Sequence, residues 1–190
     1  MRIVTCCGAD RTGKSTLTDE FVKAGWTYKH FNPPEKSPYA EYREYADWLT
    51  AEGDSSGKYV IDRYMYCEFA YSKHYGRQTD MTVARMNEIE DDLLKLDPAA
   101  VVVYCETDLE SNWARIQEEG KGEFKSIEEL EALRSEYRRV LLNSKLDLIE
   151  YNFEAGDTPE RVLAEIEKAG PGAEKASSNE TKGEDGTWTK

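Results

Sequence analysis

The stretch that most constrains this chain is a glycine-rich motif within its first fifteen residues. Residues 8–15 read Gly-Ala-Asp-Arg-Thr-Gly-Lys-Ser and satisfy the pattern G-x-x-x-x-G-K-[ST]. An apolar, β-branched run at residues 3–7 precedes the motif, and Leu17, Phe21 and Val22 follow it at helical spacing. A strand, a glycine loop and a helix N-terminus in this order predict a phosphate-binding loop, or P-loop.

Each part of this loop has a physical task in binding a nucleoside triphosphate. Backbone N–H groups turn towards the phosphate oxygens, Lys14 reaches the β- and γ-phosphates, and the Ser15 hydroxyl completes the coordination of Mg²⁺. We therefore predict that the chain binds ATP together with Mg²⁺. The predicted ATP-binding residues of the loop are Gly8, Ala9, Asp10, Arg11, Thr12, Gly13, Lys14, Ser15 and Thr16.

Apolar runs and helical patterns alternate along the rest of the chain. Buried strands are predicted at residues 58–61, 100–105 and 148–151, in addition to residues 3–7. Helices are predicted from Val83 to Leu93, from Leu109 to Ile116, after a capping box at Ser126 and Glu129, and after Thr158-Pro159. This alternation predicts an α/β fold, a parallel sheet with helices on both faces in three layers. Ligands of such folds bind beyond the carboxyl ends of the strands.

A second motif begins where the strand at residues 58–61 ends. It starts with Asp62-Arg63-Tyr64 and continues to Ala70-Tyr71. At this place Asp62 can hold a Mg²⁺-bound water, and Arg63 can direct its planar guanidinium to an acceptor phosphate. The alternative is a surface ion pair at a strand end. We predict that Lys14, Arg11, Asp62 and Arg63 are catalytic, and that Ser15 and Asp62 bind the metal ion.

Charge and composition limit the partners of the chain. Its formal charge is −13, and residues 170–190, with three Lys and four acidic residues, contribute only −1, so residues 1–169 carry −12. Such acidity opposes binding to DNA or RNA phosphates, which disfavours a DNA acceptor. No apolar run approaches the roughly 20 residues of a membrane span, and the first residues lack the pattern of a secretory signal. We expect a cytoplasmic protein without a membrane partner.

The domain organisation follows from length and from the polar C-terminal end. A length of 190 residues fits one compact domain, which we place at residues 1–169, and residues 170–190 are predicted to be a disordered polar tail. Cys6, Cys7, Cys67 and Cys105 have neither redox nor metal-ligand spacing, so we interpret them as core residues. The oligomeric state is left open, with a homodimer as one option.

The two motifs together resemble those of the thymidylate kinases, a family of P-loop nucleoside and nucleotide kinases. That family has a DRY segment, then Ser three residues after Tyr, then Ala-Tyr, for which this chain has Asp62-Arg63-Tyr64, Cys67 and Ala70-Tyr71. Some members also carry Asp-Arg inside the P-loop, as Asp10-Arg11 do here. Asp97-Pro98, Arg115, Phe124, Arg134 and Tyr137 follow the family's downstream pattern.

The resemblance implies a role for several side chains. Arg11 would touch the transferring phosphoryl group, Asp10 the 3′-hydroxyl of the acceptor sugar, and Arg63 the acceptor phosphate. Tyr71 would pack beside the deoxyribose, and Arg115 would belong to the ATP site. A short lid is expected near residues 118–126, which contain Lys121 and Lys125 but no Arg.

The identity of the acceptor stays open between several alternatives. The resemblance implies a pyrimidine deoxynucleotide, dTMP first, with Phe31, Glu35 and Lys36 as further acceptor-binding candidates. Tyr39, Tyr42, Tyr45 and Trp48, at a spacing of three, form either a helix face packed on the core or a wall that stacks on a base. A kinase for a hydroxyl acceptor, free or in DNA, would need Glu35, Asp62 or Asp10 as a general base. A nucleotide-dependent switch without an acceptor is a third alternative.

Overall fold

A computed structural model describes residues 1–35, 37–120 and 124–169 of the chain. It contains a sheet of five parallel strands in the order β2-β3-β1-β4-β5. The strands are β1 (Arg2–Cys7), β2 (Thr27–His30), β3 (Lys58–Asp62), β4 (Val101–Cys105) and β5 (Asp147–Tyr151). The predicted α/β fold with a parallel sheet is therefore confirmed.

Strand β2 is the strand that the sequence pattern did not predict. It reads Thr-Tyr-Lys-His, it lies at the edge of the sheet, and none of its four residues is buried. An exposed edge strand needs no apolar run, so hydrophobicity alone cannot detect it. Its position matters because its last residue, His30, lies beside Asp62 of β3.

Seven helices connect the strands in the part of the chain that the structure describes. They are α1 (Lys14–Lys23), α2 (Pro38–Glu52), α3 (Met65–His74), α4 (Val83–Leu96), α5 (Leu109–Glu118), α6 (Ile127–Leu141) and α7 (Pro159–Lys168). The predicted starts are confirmed at Ser126, which accepts from the Glu129 backbone N–H, and at Thr158, which accepts from that of Arg161. Helix α3 was not predicted, because residues 65–72 are all buried and show no amphipathic pattern.

The core lies in two layers, one on each face of the sheet. Val4 and Cys6 of β1 pack with helices α1 and α7, whereas Ile3 and Cys7 pack with the layer that contains α2, α3, α4 and α6. This alternation confirms helices on both faces. Within α1, Val22 is 47% exposed, so its predicted place in the apolar stripe was wrong. The helix turns Val22 to solvent, while Leu17 and Phe21 are fully buried.

Another prediction concerns the four cysteines. All four cysteines are free and buried, in agreement with their interpretation as packing residues. No helix among the described residues is both long and apolar enough to cross a membrane. The predicted tail, residues 170–190, lies outside the described residues.

Candidate active site

The carboxyl ends of the parallel strands converge on a cavity of about 630 Å³. The P-loop follows β1, which lies between β3 and β4 at the centre of the sheet. Such a position, where connections leave in opposite directions, is where open α/β sheets bind ligands. The residues that line this first cavity are Asp10, Arg11, Gly13, Lys14, Ser15, Thr16, Tyr28, His30, Asp62, Arg63, Ile116, Glu119, Phe124, Tyr151 and Phe153.

Two glycines of the loop occupy positions that no other residue fits. Gly8 has φ of 137°, and a Cβ there would lie 2.2 Å from the carbonyl oxygen of Cys105. Gly13 has φ of 86°, and a Cβ there would lie 2.8 Å from the Phe153 ring. Both positions combine a left-handed backbone with close approach of neighbouring atoms. The motif glycines are thus required by the path of the loop itself.

Lys14 is the buried cation at the start of α1. Its Nζ donates to the carbonyl oxygen of Gly8 at 2.8 Å and also to that of Ala9, and the residue is 6% exposed. The next residues, Ser15 and Thr16, are exposed and line the same cavity. The N-terminus of α1, the positive end of its dipole, therefore faces the cavity where phosphates would bind.

Arg11 and Arg63 stand out by their backbone conformation. They are the two non-glycine residues with positive φ in the described part of the chain, at 64° and 57°. Arg63 donates from Nη2 to Asp10 Oδ1 at 2.6 Å, and Arg11 pairs with Glu119 at the end of α5. Burial opposes the charge of Arg63, but Asp10 and other negative groups outweigh it and raise the pKa of its guanidinium above the usual value. Strained backbone of this kind concentrates at functional sites.

Asp62 lies at the end of β3 in a hydrogen-bonded cluster. Its Oδ2 accepts from Tyr28 OH at 3.0 Å and lies 2.9 Å from His30 Nδ1. Burial, together with the Asp62 charge, raises the pKa of Tyr28, so its hydroxyl stays a donor. The other oxygen, Oδ1, is buried and has no hydrogen-bond partner among the described residues.

Asp62 Oδ1 is suited to bind a cation such as Mg²⁺. Asp62 offers a buried carboxylate oxygen, and Ser15 offers an exposed hydroxyl on the same cavity. Across the described ranges, no cluster of three or more His, Cys, Asp or Glu side chains could hold a metal ion. Mg²⁺ sites of phosphotransferases commonly combine one or two carboxylates with waters and substrate phosphates, so the predicted pair fits this ion.

A second cavity of about 470 Å³ adjoins the first. It is lined by Phe31, Asn32, Pro33, Pro34, Tyr42, Arg63, Cys67, Glu68, Tyr71, Tyr75 and Arg77. Arg63 is on the wall of both cavities. The predicted acceptor residues Phe31, Arg63 and Tyr71 are thus brought together in one place.

Other predicted acceptor residues lie elsewhere. Asp10 lines the first cavity and pairs with Arg63. Glu35 is exposed and lines neither cavity, although Asn32, Pro33 and Pro34 just before it line the second one. Lys36 lies outside the described residues.

The aromatic face of α2 packs on the core around Phe31. Tyr42 and Tyr45 contact the Phe31 ring edge-on at 5.3 and 5.5 Å between centroids, and Tyr64 lies 5.1 Å from it. The packing interpretation of this face therefore holds, and Tyr42 also lines the second cavity, where the stacking interpretation stays a prediction. Trp48, further along α2, is 39% exposed.

Arg115 and Asn112 of α5 donate hydrogen bonds to backbone carbonyl oxygens of the P-loop. Asn112 is fully buried and donates from Nδ2 to the carbonyl oxygen of Asp10 at 2.8 Å. Arg115 donates to the Arg11 carbonyl at 3.3 Å and lies over the Phe153 ring at 5.2 Å from its centroid. Sequence reasoning missed Asn112, because a polar residue on a helix carries no signal of a contact 102 positions away.

Cys67 stands where the resembling family has Ser. It is buried on α3, and burial raises the pKa of its thiol to about 11. The thiol is therefore protonated at neutral pH and is not a nucleophile there. This supports packing as the role of Cys67.

Comparisons with known proteins identify the fold. No protein-family model matches the sequence, and a search of curated proteins finds no match. Among solved structures, the YorR protein of Bacillus subtilis, in complex with phosphorylated GDP, has a TM-score of 0.70 and 18% identity, covering 87% of this chain and 94% of that one. Deoxyadenosine kinase of M. mycoides with bound dCTP has a TM-score of 0.52 and 21% identity, covering 88% and 98%.

A thymidylate kinase also shares this fold. The enzyme of Candida albicans has a TM-score of 0.50 and 18% identity, covering 87% of this chain and 89% of that one. At such identities the likeness concerns the fold alone. Membership of the thymidylate kinase family, suggested by the motifs, stays a prediction.

Proposed function

We propose that this chain is an ATP-dependent kinase that transfers the γ-phosphoryl group to a deoxynucleoside 5′-monophosphate. The observation that carries the proposal is the place of Arg63 on the walls of both cavities. The first cavity has the P-loop and suits the triphosphate of ATP, and the second suits an acceptor. An arginine between them suits an acceptor phosphate, which its planar guanidinium can bind in bidentate fashion.

The proposed reaction needs charge neutralisation and positioning more than covalent help. An oxygen of the acceptor phosphate forms a bond to the γ-phosphorus of ATP, and the bond from that phosphorus to the β-phosphate oxygen breaks, so that ADP leaves. The acceptor is already anionic at neutral pH, so no general base is required. Lys14 and Arg11 would neutralise the donor side and Arg63 the acceptor side.

The ligand-free ion pairs fit this division of roles. Asp10 holds Arg63 at 2.6 Å, and Glu119 holds Arg11 at the rim of the first cavity. Both partners are replaceable by phosphate oxygens, which are stronger acceptors for a guanidinium. Mg²⁺, when bound through Ser15 and Asp62, would neutralise charge on the β- and γ-phosphates.

These contacts indicate a phosphate on the acceptor but do not indicate which base it carries. The motif resemblance favours dTMP, and the Candida albicans neighbour is a thymidylate kinase. The M. mycoides neighbour is named for a nucleoside, deoxyadenosine, and was solved with dCTP. The shared fold thus occurs with more than one base, and with nucleoside as well as nucleotide acceptors.

A hydroxyl acceptor is the second candidate, and one observation favours it. The His30–Asp62 pair, 2.9 Å apart on the wall of the first cavity, resembles a general base and its orienting carboxylate. Of the three predicted bases, Asp62 and Asp10 line the first cavity, whereas Glu35 is exposed and lines neither cavity. This candidate leaves the place of Arg63 unexplained, since an uncharged hydroxyl needs no guanidinium.

A panel of acceptors tests the two candidates against each other. ADP release from ATP and Mg²⁺ is measured with each deoxynucleoside monophosphate, each deoxynucleoside, and DNA containing hydroxymethylated pyrimidine. We expect turnover with at least one monophosphate and kcat/KM for its nucleoside at least about 100-fold lower, as expected for loss of a charge-assisted contact. Turnover with a nucleoside or with the DNA, and with no monophosphate, would refute the proposal.

A further inference from the structure

Two side chains of the edge strand β2 contact the same oxygen of Asp62. Tyr28 OH donates to Asp62 Oδ2 at 3.0 Å, and His30 Nδ1 lies 2.9 Å from that oxygen. An ionised carboxylate only accepts hydrogen bonds, so the proton between His30 and Asp62 is on Nδ1. Both side chains are therefore donors to Oδ2. The other oxygen, Oδ1, has no hydrogen-bond partner within the described ranges of the chain.

The register of the sheet explains why these three side chains meet. Strands β2 and β3 are parallel, with His30 paired to Asp62 and Tyr28 to Val60. Residues two apart on a strand point to the same face, so Tyr28 and His30 both lie on the face where Asp62 accepts their hydrogen bonds. Their rings are stacked, with centroids 6.4 Å apart and 30° between the planes. Each ring thus limits the rotation of the other.

The hydrogen bonds of Asp62 are distributed unevenly between its two oxygens. Asp62 is 4% exposed, and burial of a carboxylate is costly unless its oxygens are paired. Oδ2 has two donors, whereas no described residue donates to Oδ1. Asp62 also lines the first cavity, which contains the P-loop. The two donors therefore fix the orientation of the carboxylate, and the oxygen without a partner belongs to the wall of the proposed ATP site.

We infer that Tyr28 and His30 are positioning residues, which hold Asp62 through Oδ2 so that Oδ1 binds Mg²⁺ or a Mg²⁺-bound water in the complex with ATP. The inference rests on the ATP- and Mg²⁺-binding part of the proposed function, and is independent of the acceptor. Donors of this kind orient the carboxylates that bind metal ions, and their loss typically lowers metal affinity about 10- to 100-fold. His30 then acts through Nδ1 as a donor, and not as a general base.

The contribution of Mg²⁺ to nucleotide affinity tests this inference. It is the ratio of two dissociation constants of a non-hydrolysable ATP analogue, measured by calorimetry in EDTA and in saturating Mg²⁺. We expect Mg²⁺ to strengthen binding to the wild-type protein, and this ratio to fall about 10- to 100-fold in the double variant Tyr28→Phe, His30→Phe. An unchanged ratio in a double variant with a native circular dichroism spectrum would overturn the inference.

Tyr39→Phe is the matched control for the loss of the Tyr28 hydroxyl. Tyr39 is also a tyrosine whose hydroxyl donates to a carboxylate, Glu88 Oε2 at 2.9 Å, but it lines neither cavity. Its substitution should leave the metal ratio at the wild-type value. A fall in Tyr39→Phe as large as that in Tyr28→Phe would show a general effect of losing a tyrosine hydroxyl, and would contradict the inference.

His30→Asn separates a hydrogen-bond donor from a general base. The Asn amide nitrogen is attached at the same place in the side chain as His Nδ1 and can donate to Asp62 Oδ2, but it does not take up a proton at neutral pH. We expect His30→Asn to keep the metal ratio and the turnover that His30→Phe reduces. A loss of turnover in His30→Asn, with the metal ratio unchanged, would assign His30 to base catalysis and refute its positioning role.

Asp62→Asn tests whether the two donors act through Asp62. The substitution removes the charge that attracts the cation, so the metal ratio should fall. Adding Tyr28→Phe to Asp62→Asn should then lower the ratio no further, because the carboxylate that Tyr28 positions is already absent. A further fall in this background would show that Tyr28 contacts the nucleotide or the metal directly, which would refute the inference.

The calorimetric measurements need no acceptor, so they fail separately from the proposed function. If no monophosphate is phosphorylated, the proposed acceptor is wrong, and the metal ratios of the wild-type protein and the double variant still decide the inference. If the wild-type protein phosphorylates a monophosphate but binds the ATP analogue equally well with and without Mg²⁺, the inference is overturned and the proposed function stands.

Discussion

Replacing Arg63 should affect activity and stability in separate ways. The residue combines a guanidinium on both cavities with a left-handed backbone at φ of 57°. Arg63→Ala removes the side chain and keeps the unfavourable backbone, whereas Arg63→Gly removes both. The two variants therefore separate the chemical role of the guanidinium from the conformational cost of its position.

The expected loss of activity is the same in both variants. Truncation would leave the acceptor phosphate without its charged partner, which costs about 2–5 kcal/mol. At 1.36 kcal/mol for each factor of ten, kcat/KM should fall roughly 30- to 5,000-fold.

Stability should distinguish the two variants. The Arg63–Asp10 ion pair is partly exposed, at 34% and 26%, so its loss costs at most about 1 kcal/mol. A left-handed conformation costs a non-glycine residue about 1–2 kcal/mol. Glycine avoids this cost, but part of the gain in stability is lost because its unfolded chain has greater conformational freedom. Arg63→Gly should therefore be more stable than Arg63→Ala by roughly 1 kcal/mol, or about 2–4 °C in Tm.

Thermal unfolding by circular dichroism and initial rates of ADP release measure the two quantities. Equal or reversed Tm values for the glycine and alanine variants would refute the argument from backbone conformation. Near-normal kcat/KM in either variant would refute the role of Arg63 in binding the acceptor.

Three further predictions concern single residues. Lys14→Ala should abolish turnover while the far-ultraviolet circular dichroism spectrum stays native, because it removes the cation that we propose binds the β- and γ-phosphates; near-normal turnover would contradict the P-loop assignment. Arg11→Gly should lower kcat by about 10³-fold with little change in the Kd for ATP, measured by calorimetry, because we propose that Arg11 acts on the migrating phosphoryl group; an equal loss of ATP affinity would make it a ground-state contact. Burial raises the pKa of the Cys67 thiol from 9.0 to about 11, so the unfolded state loses its proton first and stability falls as pH rises from 9 to 11. Denaturant titrations should show that this fall is about 2 kcal/mol smaller in Cys67→Ala, and an identical pH dependence would contradict the shift.

The structure is most predictable from the sequence where one motif determines both the backbone conformation and the chemistry. The P-loop needs glycine at positions 8 and 13 for steric reasons, and its pattern is recognisable without any distant contact. The end of β3 was predictable too, because a buried run stops at Asp62. Phe31, Arg63 and Tyr71, which the resemblance implies as acceptor-binding residues, line one cavity.

Other features depend on contacts that local patterns do not encode. Strand β2 is exposed and polar, and α3 is buried on all sides. Neither segment therefore shows the hydrophobic periodicity that identifies a strand or a helix in a sequence. Asn112 reaches the P-loop across the fold. Glu68 is one of many acidic residues in the sequence, and only the fold shows that it is buried beside Arg77.

Transfer of labelled phosphate tests the central claim most directly. Purified protein is incubated with Mg²⁺, γ-³²P-labelled ATP and an equimolar mixture of the deoxynucleoside monophosphates and deoxynucleosides, and the labelled products are separated by chromatography. The account predicts label in a deoxynucleoside diphosphate, and no such label in the Lys14→Ala variant. Label that accumulates in a monophosphate made from a nucleoside, with none in any diphosphate, would contradict it.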